Sequence, residues 1–181
     1  MANTKVQQCL VLIKPDGLVK SLTGNIISTL SETKLKIVGA KVVKVDRKLA
    51  EAHYADLKAN QIRKHGEEKG TQIFEDTMRY IMGEFHTDRV FALVYEGENA
   101  TEVIRKLVGR TNPEEADPTS IRGKYGRINS KTHVLETVVH ASESEKEAKR
   151  EIQLWFKPAE LTEIIYPTKK QKVSEEKIVW E

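Results

Sequence analysis

Between Glu136 and Phe156 the chain changes its period, and that change limits what can surround it. The stretch reads ETVVHASESEKEAKREIQLWF. Val134, Leu135, Val138 and Val139 are apolar and mostly β-branched, the composition of a buried strand. The run stops at His140 and gives way to Ala141, Ser142, Glu143 and Ser144. Beyond these, Ala148, Ile152, Trp155 and Phe156 recur at helical spacing, and Ser144 with Glu147 has the form of a capping box. The pattern predicts His140 at a strand-to-helix junction, within reach of two serine hydroxyls, helix amides and Glu151. A neutral imidazole there can act as a nucleophile near pH 7, a carboxylate on one ring nitrogen leaving the other free to attack. Helix-terminal N–H groups can hold a phosphate. A lone histidine also fits a surface or satisfied core position, so this stretch alone decides nothing.

The remaining chain supplies alternating elements. Cys9 to Ile13 reads as a short buried strand, ended by a Lys14-Pro15-Asp16-Gly17 turn that leaves Lys14 pointing out of the core. Thr23 is placed as the cap of a helix carrying Ile26, Ile27 and Leu30, and Leu35 to Val45 is a long strand. Leu49 to Leu57 is helical, with Ala50, His53, Tyr54 and Leu57 on one face. The polar segment 58–70 reads as an exposed loop or a weak helical hairpin. A helix follows with Phe74, Met78, Ile81 and Met82 on its face, closed by Gly83. Val90 to Tyr95 is the third strand, and Asn99 is placed as the cap of a helix carrying Val103, Ile104, Leu107 and Val108. Arg110 to Ile121 holds two prolines and no periodicity, and a loop of that length inside a compact domain is usually functional or disordered. Lys131 to Val139 leads into the fourth strand. Pro158 opens a segment with an apolar patch of Leu161, Ile164 and Ile165, followed by a charged tail over 167–181. The order predicts an α+β fold on the split ferredoxin-like plan, a four-stranded antiparallel sheet with helices on one face.

Composition narrows the function. With 30 Lys and Arg against 27 Asp and Glu, the net charge is +3 and the signs are interspersed, which argues against a nucleic-acid stripe and a membrane-surface helix. A single cysteine, Cys9, excludes an intrachain disulfide and fits a reducing compartment. The N-terminus lacks a signal-peptide pattern, and no apolar run approaches the ~20 residues of a membrane span. A cytoplasmic location is the expectation.

Several short motifs then coincide in order: LVLIKPDG at 10–17, HYADLK at 53–58, GRTNPEEADPTSIRG at 109–123, VVHASES at 138–144 and REIQLWFKPAEL at 150–161. Together they resemble nucleoside diphosphate kinase over roughly residues 8–166, which implies one domain with a tail at 167–181. The resemblance implies a ping-pong phosphotransferase acting on ATP and other nucleoside tri- and diphosphates, with His140 carrying the phosphoryl group. Lys14 is similar to the lysine near the γ-phosphate and sugar hydroxyl. Arg105 and Arg122 are similar to the phosphate-clamping arginines, and Thr111 to the phosphate-binding threonine. Tyr54 resembles the tyrosine beside the histidine, and Ser142 and Glu151 resemble the pair that orients it. Phe74 resembles the aromatic on which the base stacks. Mg²⁺ is implied on the nucleotide phosphates, with no protein-only metal cage. A homo-oligomer is implied too, a hexamer rather than a tetramer, from the Val179-Trp180-Glu181 ending.

The sequence also departs from that family. Thr137 stands where an asparagine contacts the sugar, and Glu143 where an aspartate is usual. Segments 58–72 and 124–134 are longer than in the family, two loop insertions by this reading. Counting from Tyr54 places Ile62 rather than Phe74 at the base. Two other readings compete with an enzyme. One is a nucleotide- or RNA-binding regulator using basic residues of the insertions (Arg63, Lys64, Lys69, Lys124, Arg127, Lys131), although the strands lack an aromatic-rich motif. The other is an assembly protein with a vestigial site.

Overall fold

A computed structural model of the chain describes residues 5–130, 134–172 and 174. The backbone runs β1 (Val6–Ile13), α1 (Pro15–Val19), α2 (Thr23–Ser31), β2 (Lys36–Lys44), α3 (Arg47–His53), α4 (Leu57–His65), α5 (Glu67–Ile81), β3 (Arg89–Glu98) and α6 (Ala100–Val108). It continues through a short 3-10 turn at Pro113–Glu115 to α7 (Ile121–Tyr125), β4 (Arg127–Ile128), β5 (Leu135–Glu136), β6 (Val139–Ala141) and α8 (Glu145–Trp155). Four strands form an antiparallel sheet in the order β2-β3-β1-β6, the ferredoxin-like arrangement.

The uninterrupted apolar run in β1 has a simple cause. Strand side chains alternate between faces, and both faces of this sheet are covered. Cys9, Val11 and Ile13 pack with Ile26 and Leu30 of α2 and Ile104 and Val108 of α6. Leu10 and Leu12 pack with Ala50 of α3, Phe74, Met78 and Ile81 of α5, and Ala148, Ile152 and Trp155 of α8. The expectation of helices on one face is therefore corrected: α3, α5 and α8 form a second layer. His140 pairs with Leu12, so it shares Leu12's face and looks towards that second layer.

Local chemistry explains other differences. Segment 58–70 is the hairpin alternative, α4 and the start of α5 joined at Gly66, whose φ of +81° suits glycine. A Cβ on Gly70 would strike the Ile62 backbone, so this glycine lets the two helices meet. The first supposed loop insertion is thus helical. The second contains β4, which pairs with β5 as a two-stranded ribbon. Pro15 begins α1 instead of a turn, in keeping with proline's tolerance at a first helical position. Neither Thr23 nor Asn99 makes a side-chain cap; Thr23 lies inside α2, and Asn99 adopts φ +50°. Asp46 does cap a helix, accepting from Leu49 N–H at 2.7 Å, and so starts α3 earlier than Leu49. Ser144 caps α8 at Glu147 N–H, but Glu147's carboxylate takes Arg150 instead of closing the box. Leu161 and Ile165 pack on the core while Ile164 is exposed. Lys131 and the Val179-Trp180-Glu181 ending lie outside the described residues.

Candidate active site

The strand expected to run unbroken into His140 is interrupted one residue pair before it. Val138 has φ +54°, an unfavourable conformation for a β-branched residue, and Val139 N–H closes back on Thr137 C=O at 2.6 Å. Three groups from the β1–α1 junction hold this turn. Asp16 accepts from Val138 N–H at 2.8 Å, Lys14 N–H donates to Val138 C=O at 2.9 Å, and Gly17 leaves room, since a Cβ there would come within 2.8 Å of that same oxygen. The turn separates β5 from β6 and delivers His140 onto the main sheet. Sequence reading missed Asp16 and Val138 as site-building residues, although both lie inside quoted motifs.

His140 is half-buried, its side chain 20% exposed, and its Nε2 lies 2.9 Å from Glu151 Oε1. Glu151 projects from α8. Its second oxygen accepts from Ser142 Oγ at 2.6 Å, while Ser142 itself is stitched to β1 through Leu10 N–H and C=O. Burial alone would raise the Glu151 carboxyl, but the hydrogen bonds from His140 and Ser142 and the nearby Arg150 together hold it below the usual range. The carboxylate thus claims Nε2 and leaves Nδ1 as the nitrogen on which a bond can form.

His53 is a further member that the sequence reading placed only on a helix face. Its ring stands edge-on to His140 with centroids 4.6 Å apart, and its Nδ1 accepts from Trp155 Nε1 at 3.2 Å. Burial, helped by His140, Arg150 and Lys14, pushes its pKa well down, so it is neutral at pH 7. Tyr54 follows at the end of α3, its ring 4.6 Å from that of His53, and burial raises its hydroxyl pKa. Arg150 fastens this corner by donating to Ala52 C=O and His53 C=O at 2.8 and 3.0 Å.

The cations are placed less uniformly. Lys14 is buried rather than outward-pointing; its Nζ donates to Thr137 Oγ1 at 3.0 Å and lies 4.6 Å above the Tyr80 ring. Burial, with Arg122 adding and Asp16 opposing, lowers its pKa to about 8. Arg122 is buried as well, spending Nε and Nη2 on Val139 C=O at 3.3 and 3.1 Å and Nη1 on Gly109 C=O at 3.0 Å. Burial first and Arg105 second lower its pKa to about 10. It therefore sits directly behind the His140 strand. Arg105 is exposed on α6, lining a shallow hollow with Glu102, Glu143 and Glu145 beside the start of α8. Thr111 is exposed just after Gly109. Phe74 is the misplaced member: only 6% exposed, it packs with Met78 and Ile81, and Arg47 and Lys58 stand 5.8 and 5.7 Å from its ring centroid. Its helical period puts it in the core, which corrects the expectation of an open stacking face. Ile62 is half-buried on α4.

A histidine, a carboxylate that fixes its ring, and cations at one end of a ferredoxin-like sheet fit an enzyme of the phosphotransferase class. The family model described as nucleoside diphosphate kinase matches residues 7–161. A nucleoside diphosphate kinase of Thermococcus kodakarensis is 42% identical over 163 residues, spanning 90% of this chain and 84% of that protein. Among solved structures, a transition-state mimic of the Borrelia burgdorferi enzyme with bound vanadate and ADP is 34% identical, with a TM-score of 0.73 over 91% of this chain and 93% of that one. The Halobacterium salinarum enzyme in complex with CDP is 33% identical, with a TM-score of 0.70 over 88% of this chain and 93% of that one. The chain belongs to the nucleoside diphosphate kinase family, and its activity is that family's, a phosphotransferase acting on nucleotides. Among the described residues, no helix is long and apolar enough to cross a membrane.

Proposed function

We propose that the chain moves the γ-phosphoryl group of ATP or another nucleoside triphosphate to a nucleoside diphosphate in two steps through His140. The observation that carries this reading is the 2.9 Å contact between His140 Nε2 and Glu151, whose other oxygen is fixed by Ser142. In the first step a bond forms between Nδ1 and the γ-phosphorus as the bond to the bridging oxygen breaks, and the nucleoside diphosphate leaves. In the second, an acceptor's terminal oxygen takes the phosphoryl group and frees Nδ1. The Nε2 proton stays directed at Glu151, which stabilises the ring as it gains positive character.

Phosphoryl transfer depends chiefly on position and on cations around the moving oxygens. Lys14, Arg105 and Arg122 supply that charge. Two of five guanidinium N–H donors on Arg122 remain beyond its three backbone bonds. Thr111 adds a hydroxyl to the phosphates, and Tyr54 packs the side of the site. Thr137, bonded to Lys14, takes the sugar hydroxyl in place of a longer amide. Mg²⁺ on the phosphates neutralises their charge. His140, His53 and Glu151 together offer two imidazoles and one carboxylate, a poor match for an oxygen-seeking ion, so Mg²⁺ is carried by substrate. Two relatives were solved with nucleotides of different bases, ADP and CDP, which supports broad base tolerance here. A hexamer in the cytoplasm completes the proposal.

Incubation with γ-labelled ATP tests the centre. The protein should take up acid-labile, base-stable label, and His140→Ala should take up none; label retained in that variant would overturn the assignment. A coupled assay with GDP, CDP and UDP should give turnover with all three, and strict dependence on one base would remove the tolerance claim.

A further inference from the structure

His53, His140 and Glu151 bring three metal-binding atoms within 4.8 Å of one another, at the wall of the site and with one side open to solvent through His140. We propose that this trio is an inhibitory site for a nitrogen-preferring divalent transition metal, Zn²⁺ being the fitting ion, which captures His140 and withdraws it from chemistry. The metal site rests on the geometry of these side chains alone, while its inhibitory effect rests on the phosphotransfer reading of His140.

The donor set selects the ion. Two imidazoles and a carboxylate suit Zn²⁺ and are poor ligands for Mg²⁺, which prefers oxygen in a strict octahedron. With Zn–N and Zn–O distances near 2.1 Å, neighbouring ligand atoms in a tetrahedral site stand about 3.4 Å apart. Two of the three separations in this trio, 2.9 Å from His140 Nε2 to Glu151 Oε1 and 3.8 Å from His53 Nδ1 to the same oxygen, bracket that value, and the third lies within 4.8 Å. Small side-chain rotations reach it, with the fourth position left to water.

One surrounding bond supports the trio as partners support metal ligands elsewhere, and one competes with the ion. Ser142 fixes the second oxygen of Glu151 at 2.6 Å. Trp155 Nε1 donates to His53 Nδ1, so the proton of the neutral ring lies on Nε2. Metal coordination at Nδ1 exchanges the indole bond for a metal bond and needs no proton to leave His53.

His140 responds differently. In the resting ring Nε2 carries the proton, directed at Glu151, and Nδ1 holds the reactive lone pair. A metal on Nε2 takes the proton's place, and in the neutral ring the proton moves by way of solvent to Nδ1. The lone pair that would attack phosphorus is then occupied. Inhibition follows from a change of tautomer, with no need to block the phosphate site.

The test uses nucleotide-free protein, so its outcome is independent of phosphoryl transfer. Titration with Zn²⁺ by calorimetry should show one tight equivalent, and Co²⁺ should give the intense visible bands of a four- or five-coordinate ion. In the ¹⁵N spectrum of the wild type, the His140 and His53 ring signals should shift together at one equivalent. His53→Gln, which keeps an acceptor for Trp155, and Glu151→Gln should each weaken that equivalent at least tenfold. The proposal is overturned by binding undiminished in both variants, by a weak six-coordinate Co²⁺ spectrum, or by movement of His65 or His86 signals while His140 stays still. If either variant fails to fold, the wild-type ring signals alone decide.

Discussion

Glu151 works with both oxygens, one towards His140 and one towards Ser142, and the two tasks separate on substitution. Glu151→Gln keeps the shape but offers one accepting oxygen and one NH₂ group, so only one of the two partners still meets an acceptor and the negative charge beside His140 is gone. Steady-state kinetics should show kcat down on the order of 10- to 100-fold, the usual loss when a group orienting a reactive side chain is changed, with KM little altered. An equal rise in KM would mean that Glu151 binds substrate. Lys14 illustrates a conflict between site and stability. Its folded pKa of about 8 lies below the ordinary lysine value of 10.5, so the unfolded chain binds more protons between those pH values. Stability from this group therefore rises with pH across that window, and at pH 7 burying the charge costs roughly 3 kcal/mol. Lys14→Met removes that cost but leaves the Thr137 hydroxyl unpaired, about 1 kcal/mol back. The variant should melt higher than wild type at pH 7, the gap should narrow from pH 8 to 10.5, and activity should be lost. A lower melting temperature at pH 7 would show that the folded lysine is not destabilised. The motifs pointed to Lys14, Arg122, Ser142 and Glu151, all of which lie around the His140 strand. His53 escaped because an apolar helix face gives no hint that the residue beside Tyr54 turns towards another element's histidine. Phe74 misled for the converse reason: motif order suggested a stacking ring, while its spacing from Met78 and Ile81 already placed it on the core face.

Periodicity located the strands and long helices because each buries one face, or two in β1, and burial leaves a pattern. It could not locate the break between β5 and β6. Thr137 and Val138 look like ordinary strand residues, and the turn exists only because Asp16 and Lys14, more than 120 residues earlier, hold it from outside. Asp16→Ala should therefore cost about 1–3 kcal/mol in denaturant unfolding by leaving the buried Val138 N–H unpaired, and should slow phosphate uptake by loosening His140. Asp16→Asn retains an acceptor oxygen and should recover most of both. Equal loss in the two variants would assign the effect to charge instead. The second layer of helices did leave a signal in β1, whose unbroken apolar run without polar alternation belongs to a strand covered on both faces, and an expectation of helices on one face leaves that signal unused. The α4–α5 hairpin hung on Gly70. Gly70→Ala would push α4 away from α5 at Ile62 and should cost about 1–3 kcal/mol as an overpacked contact. Hydrogen exchange should show the loss of protection concentrated over residues 57–81; uniform loosening across the sheet would mean the hairpin does not open on its own.

At the scale of the molecule, the sheet leaves β2 at one edge, where Lys36, Lys41 and Lys44 alternate with exposed apolar residues. Ile37 and Val42 are 45% and 62% exposed, and Val6 and Val19 are exposed elsewhere on the surface. Single exposed apolar residues are ordinary, but an edge strand carrying two of them offers unpaired backbone groups together with area to bury. The chain protects part of this edge itself: the register shifts between Ile37 and Gly39, and Thr162 N–H donates to Val38 C=O at 2.8 Å. The remainder, around Val42, is where another copy would fit. Interfaces of stable assemblies bury roughly 800 Å² per partner, more than one strand edge supplies, so neighbouring surface must join it. A hexamer predicts a sedimenting mass close to six times the 20.6 kDa chain at micromolar concentration. Val42→Glu places a charge where the neighbour would desolvate it, and should shift the mass to smaller species and lower the melting temperature, while the isolated chain keeps its circular dichroism. A wild-type monomer at that concentration would rule out the hexamer. A variant whose mass and melting temperature match the wild type would move the contact away from β2.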